Sequence, residues 1–378
     1  MNLRNTRGSQ GMKIKIITCH DVYNVGASLQ AYALSKYLRQ QGHDVKNIDY
    51  KPVYLQHYRL SGVSNPLYDK PILREVYQIL KFPGRVKERF GKRKKAFDDF
   101  SNNYLSVTDK RYTTIEELQL EIPEADLYIA GSDQIWNPLF CNGKDPAFFL
   151  QFAPENSRKI SYAASFAVDS LSEEDKKRMK SWLRCFDAIS VREKSGVTLL
   201  HEMGLEGVQV CDPIFLIQRS AWEMFAIDSA YTSYLLVYDF DNNSIVQQIA
   251  KKIAEKRKLK IVSIFPWKEA DYICEDIGPR EFLGLVCNAD VVISNSFHAT
   301  AFSLIFHKEF YVVNRQEKIN TRMRDLLGDF GLEDHLVSSV ADVEKARDAE
   351  WNQIDEIIVY MSESSKSFLK KEMDMVQV

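Results

Sequence analysis

The chain's alternation predicts an α/β protein built from two doubly wound domains. Short apolar runs alternate with segments whose apolar residues recur at helical spacing; this pattern breaks once, near residues 213–220, and then starts again. Polar clusters stand at the carboxyl ends of the apolar runs, where open parallel sheets hold their ligands. With 378 residues, both halves can bury a full core.

The elements follow in order. From Met12, "KIKIIT" reads as a strand, "SLQAYALSKYLRQQ" as a helix ended by Gly42, and "HDVKNIDY" as the next strand. The stretch from Lys51 to about Glu124 is less regular and reads as an inserted helical excursion, basic over roughly residues 70–100. Four short buried strands come next, in "ADLYIAGSDQIWNP", "RKISYAASFA", "FDAISVREKSGVTLLHEMG" and "VQVCDPIFL". A second series runs from "SYLLVYDF" through "LKIVSIF" and "DVVIS" to "EFYVV", with helices at "NNSIVQQIAKKIAEKRK", "PREFLGLVCNA" and "ATAFSLIF". The expected division is 12–217 and 218–340, with a helix over 341–378 packing back on the first domain.

Composition narrows the class. With 45% apolar residues and a formal charge of -2, the chain is globular, and no charge bias points to nucleic acid. The six cysteines lack metal-ligand or disulfide-framework spacing, so no metal is expected, and a reducing cytosol is the simplest setting. No apolar run is long enough for a membrane helix, and "MNLRNTRGSQG" lacks the apolar core of a signal peptide.

Four polar clusters carry the candidate chemistry. In "VVISNSFHATAFSLIF" the strand ends near Ser294 and the helix is expected near Ala299, leaving Asn295, Ser296 and His298 on the turn. A helix start is an anion site, and an imidazole there can donate to a phosphate or move a proton. The alternative is a His that caps the turn. After "LYIA", Gly131 permits close backbone approach, and Ser132, Asp133 and Gln134 precede Trp136; Asp133 can take a proton from a hydroxyl or cap the next segment. Arg192 ends the strand "AISV", placed to grip a carboxylate or phosphate, or to pair with Glu193 or Asp187. "NVGASLQA" has one glycine and fits no dinucleotide or ATP loop.

Together these stretches resemble the polysaccharide pyruvyl transferase family. The likeness lies in "NVGASLQAYALSKYLRQQGHDVKNIDYKP", "IAGSDQIWNP", "ISYAASFA", "ISVREKSGVTLL", "VCDPIFLI" and "PREFLGLVCNADVVISNSFHATAFSLIFHKEFYVV", spanning roughly residues 13–330. It implies two Rossmann-like halves of the glycosyltransferase-B type with the active site between them. It also implies transfer of the pyruvyl group of phosphoenolpyruvate, with no other cofactor, to paired hydroxyls of a sugar in a surface polysaccharide or its lipid-linked precursor. By this likeness His298 is the proton donor or a phosphate contact, and Arg192 the donor clamp beside Ser296, Ala299 and Thr300. Asp133 contacts or deprotonates the acceptor, with Asn24, Gln30, Ser132, Gln134 and Trp136 on the acceptor side. Many members carry Arg where this chain has Ser296, while one branch has the same Ser-Phe-His order. Arg315, Lys318, Arg322 and Arg324 are the candidates to supply the charge, with helix starts at Ser28 and Thr300 adding to it.

The basic stretch Lys81 to Lys95 is a candidate for peripheral contact with an anionic membrane face, against the alternative of a solvated helix face. Two other functions compete: a nucleotide-sugar glycosyltransferase, since the same two-domain cleft serves such donors, and a non-catalytic carbohydrate-binding protein.

Overall fold

The structure, a computed structural model, describes residues 11–56, 91–316 and 320–376. Two five-stranded sheets, all parallel, form its frame. In the first, β1 (Lys13–Ile17) lies between β2 (Asp44–Tyr50) and β4 (Leu127–Ala130), with β3 (Val107–Tyr112) and β5 (Arg158–Ser161) at the edges. A two-stranded extension, β6 (Ser190–Val191) and β7 (Val208–Gln209), continues beside β5. In the second sheet, β8 (Tyr234–Tyr238) lies between β9 (Lys260–Ser263) and β11 (Val291–Ser294), with β10 (Tyr272–Ile273) and β12 (Glu309–Val312) outermost. The two sheets share one strand order, so each reverses direction beside its central strand, where an α/β sheet opens a crevice.

The first sheet carries α1 (Val25–Gln40), α2 (Lys92–Tyr104), α3 (Ile115–Leu120), α4 (Glu173–Leu183) and α5 (Lys194–Glu202). A 3₁₀ turn at Pro213–Leu216 and α6 (Arg219–Phe225) lead to the second sheet. That sheet carries α7 (Ser244–Arg257), α8 (Pro279–Asn288), α9 (Phe297–Ile305), α10 (Thr321–Asp329) and α11 (Val340–Val343), and α12 (Trp351–Asp374) closes the chain. Against α12, Arg158 of the first sheet pairs with Glu372, and Cys211 N–H donates to Ser365 Oγ at 2.9 Å.

One departure from the sequence reading has a physical cause. The excursion after Lys51 hides β3: "VTDKRY" exposes three consecutive charged side chains, as an edge strand can, so no apolar run marks it. Within the basic stretch, Lys81 to Phe90 lie outside the described residues, as does Lys318. Among the rest, Arg93 donates to the carbonyls of Tyr23 and Glu275, and Lys94 pairs with Asp98.

The two halves meet through an apolar layer. Leu29 and Tyr32 of α1 share a core with Trp222, Phe282 and Phe302, and the Tyr32 and Phe225 rings stack at 4.5 Å. Such burial fixes one half against the other and positions the strand ends that face each other across it.

Candidate active site

The first turns of α1 and α9 meet where the two sheets' strand ends converge. Asn24 caps α1, its Oδ1 accepting from the N–H groups of Gly26 and Ala27 at 3.0 and 3.2 Å. Ser296 caps α9, which begins at Phe297 rather than Ala299, so His298 occupies the helix's second position instead of the preceding turn. Gly26 lies against this imidazole so closely that a Cβ there would stand 1.9 Å from His298 Nδ1. Only a residue without a side chain permits that approach.

Around His298 lies a buried charge cluster drawn from both halves. Arg192 Nη1 donates to Asp212 Oδ2 at 2.7 Å, and Arg192 Nε donates to Glu193 Oε1 at 3.4 Å. His298 Nε2 is 3.5 Å from Asp212 Oδ2 without hydrogen-bond geometry, and Ser132 Oγ donates to the same oxygen at 3.3 Å. Asp133 Oδ1 lies 3.8 Å from both Arg192 Nη2 and Arg322 Nη1. The two guanidinium centres stand 4.1 and 5.9 Å from the centroid of the Phe297 ring. With its amide oxygen turned to Arg322, Gln134 accepts from Nη2 at 3.0 Å.

Burial and charge compete at each member. Burial opposes ionisation of Asp212, but the His298 and Arg192 charges override it and hold the carboxyl well below the usual carboxylate range. At Glu193 burial wins against Arg192 and Ser165, and the carboxyl is pushed up. Burial, helped by the Arg192 charge, lowers Arg322 to about 10, which leaves it cationic at neutral pH. Three buried nitrogens, Arg192 Nη2, Arg322 Nε and His298 Nε2, have no hydrogen-bond partner among the described residues. Buried donors are rarely left so, and an anionic oxygen is the partner that guanidinium N–H groups favour. Asp133, with φ of 75°, holds a left-handed backbone beside them, as strained residues at functional sites do.

The structure sorts the sequence-chosen residues. His298, Arg192, Asp133, Ser132 and Gln134 come together. Of the basic residues after β12, Arg322 reaches the cluster, whereas Arg315 pairs with Asp241 and Arg324 with Asp169. Gln30 is fully buried and its amide donates to Thr18 and the Ala27 carbonyl, while Trp136 is fully buried with its N–H on the Phe148 carbonyl; both pack the interior instead of lining the cleft. Ala299 is buried, and the Thr300 hydroxyl donates back to the Ser296 carbonyl. Arg192 pairs with Glu193 but not Asp187, whose carboxylate holds the Lys159 N–H. Sequence reasoning missed Asp212 as a site residue. Asp before Pro signals a turn cap, and Asp212 does accept the Ile214 N–H, but its second oxygen belongs to the cluster. No group of three or more His, Cys, Asp or Glu able to hold a metal ion occurs among the described residues.

Fold and site together define a two-domain α/β protein with its polar centre between the domains. The chain belongs to the polysaccharide pyruvyl transferase family, whose model matches residues 24–317, and so to a family of enzymes. Solved structures with a similar course of chain include the UDP-GlcNAc 2-epimerase of Neisseria meningitidis bound to UDP-GlcNAc (11% identity, TM-score 0.49, 94% of each chain covered). The UDP-N-acetylglucosamine 2-epimerase of Rickettsia bellii (11%, 0.48, 96% of each) and a UDP-glucosyltransferase of Polygonum tinctorium (10%, 0.44, 94% of each) are also similar. No curated protein matches the chain. Among the described residues no helix is long and apolar enough to cross a membrane.

Proposed function

We propose that the protein transfers the pyruvyl group of phosphoenolpyruvate onto two hydroxyls of a sugar in a surface polysaccharide or its lipid-linked precursor. The observation that carries this reading is the set of unpartnered buried donors on Arg192, Arg322 and His298, drawn from both halves of the molecule. Phosphoenolpyruvate presents a phosphate and a carboxylate close together, and two guanidiniums beside one imidazole match that pair of anions. Where other members place an Arg in the helix cap, this chain has Ser296, and Arg322 supplies the charge from the following helix.

The reaction needs one proton delivered to the methylene carbon of the enol and positive charge stabilised at the carbon bearing the phosphate oxygen. Two C–O bonds form from the sugar hydroxyls, the bond to phosphate breaks, and the hydroxyl protons replace the one delivered and leave with phosphate. His298 gives that proton, with the Asp212 carboxylate 3.5 Å from its Nε2. Asp133, 3.8 Å from both guanidiniums, receives an acceptor hydroxyl. Contact of the basic stretch with an anionic membrane surface is a separate proposal, supported in the described part by Lys92 and Lys95, both exposed.

Incubation with phosphoenolpyruvate and a panel of lipid-linked and free glycans should release inorganic phosphate. His298→Ala should abolish that release with the fold intact by circular dichroism. Release that continues undiminished in His298→Ala removes the proposed centre, and release that needs a nucleotide sugar instead sinks the reading.

A further inference from the structure

A cavity of about 270 Å³ lies at the carboxyl ends of β8 and β9, lined by none of the residues of the guanidinium cluster. Its walls are aromatic, from Phe240, Phe265 and Trp267, and Asn242 and Gln247 stand at its edge. Phe240 and Phe265 are fixed by packing on Tyr238, with ring centroids 4.7 and 5.4 Å from it. Trp267 is 7% exposed; its indole N–H makes no hydrogen bond among the described residues, although the Glu269 carboxylate is near. Phe240, Asp241 and Asn242 form the loop that leads from β8 toward α7, and Asn242 holds a left-handed backbone with φ of 51°.

The chemistry of the lining selects among ligands. No Lys, Arg or His lines the cavity, and the Arg315 guanidinium, 5.0 Å from the Phe240 ring centroid, is paired with Asp241, so the lining itself offers a phosphate no counter-charge. The one carboxylate, Asp239, is already committed: it accepts from the N–H groups of Asp241 and Asn243 and from Asn295 Nδ2 at 2.6 Å. What is left to meet a ligand is a set of ring faces with neutral amides beside them. Asn242 Oδ1 takes one N–H of the Gln247 amide at 2.6 Å, which leaves Asn242 Nδ2 and the second Gln247 N–H as donors and Gln247 Oε1 as an acceptor. An apolar ring face with hydroxyls around its edge is what such walls and amides fit. The volume falls just under the ~300–1,000 Å³ typical of drug-sized ligand sites, which suits one ring.

We propose that this cavity binds a single neutral sugar ring, and that it serves as an acceptor subsite. The Asp239–Asn295 bond ties its loop to the end of β11, next to Ser296 and His298, so a glycan held there is anchored to the turn that carries the imidazole. The assignment to the acceptor rests on the transferase reading above; the binding of a neutral sugar does not.

The test titrates the whole protein with glucose, galactose, mannose and N-acetylglucosamine, with UMP and inorganic phosphate as comparators, following tryptophan fluorescence. At least one sugar should give a saturable change. Gln247→Ala, a half-buried polar position, should raise its Kd five-fold or more while leaving the melting temperature unchanged, and Trp267→Phe should remove most of the signal. In the same samples the rise in melting temperature caused by phosphoenolpyruvate reads the donor cluster, and Gln247→Ala should leave it intact. Silence from every sugar overturns the subsite, as does a response that both variants retain or one given by UMP alone. Loss of the phosphoenolpyruvate effect with sugar binding intact counts against the transferase reading and leaves the sugar site standing.

Discussion

Asp212 decides how the cluster behaves, because its carboxylate faces the Arg192 guanidinium, the His298 imidazole and the Ser132 hydroxyl at once. Its folded pKa is depressed, so its contribution to stability is fully present above the unfolded value of about 3.9 and is lost as pH falls below that. Asp212→Asn should therefore flatten part of the acid limb of stability between about pH 4 and pH 2. Removing one partner of a buried pair typically costs about 3–5 kcal/mol, so a clear loss at pH 7 should accompany it. Urea unfolding of both proteins across that range measures both effects; an unchanged acid slope would show that the carboxylate is not held by its partners as described. The sequence pointed to His298, Arg192 and Asp133, which the fold brings together, since polar residues at strand ends stand out against apolar runs. It could not disclose Asp212, whose local pattern explains it completely as a cap, nor could it choose Arg322 among four basic neighbours, because only the packing of α10 separates them.

At the level of elements the site is two helix starts brought face to face, and Gly26 is where they touch. A methyl group at that position would overlap the imidazole, so Gly26→Ala must turn His298 aside or move α1 from α9. Turning the imidazole aside leaves the apolar layer between α1 and α9 filled, so a folded protein that has lost at least ten-fold in kcat/KM is the expected result. Normal turnover in Gly26→Ala would mean that the contact tolerates displacement and that His298 needs no fixed orientation. The strand and helix order was legible because each central strand is an apolar run between turn residues. The edge strand β3 was not, since its exposed charges give it the look of a loop. The burial of Gln30 and Trp136 was not legible either: polar atoms in a promising segment look available, whereas the Gln30 amide N–H groups and the Trp136 indole N–H are bonded inside the chain.

Across the whole molecule, the cluster is assembled from residues that neither domain could bring together alone. Asp133, Arg192 and Asp212 come from the first sheet's loops, His298 and Arg322 from the second half's helices α9 and α10. Helix α10, which carries Arg322, is clasped to the first domain: Lys194 pairs with Asp329 at 2.5 Å, Gln209 donates to Asp329 at 2.8 Å, and Ser195 N–H donates to Asp325 at 3.0 Å. A ligand that bridges the two guanidiniums therefore adds a bond between domains that the apolar layer and this clasp already hold in register. If phosphoenolpyruvate is that ligand, it binds the folded protein alone and stabilises it by about 2.7 kcal/mol at one hundred times its Kd. The two arginines should then matter alike despite belonging to different domains. Arg192→Ala and Arg322→Ala should each abolish most of the rise in melting temperature, measured against each variant's own unliganded value because both also disturb the cluster. Should Arg322→Ala keep the full rise while Arg192→Ala loses it, the donor would sit on the first domain alone, and the second would contribute only the imidazole.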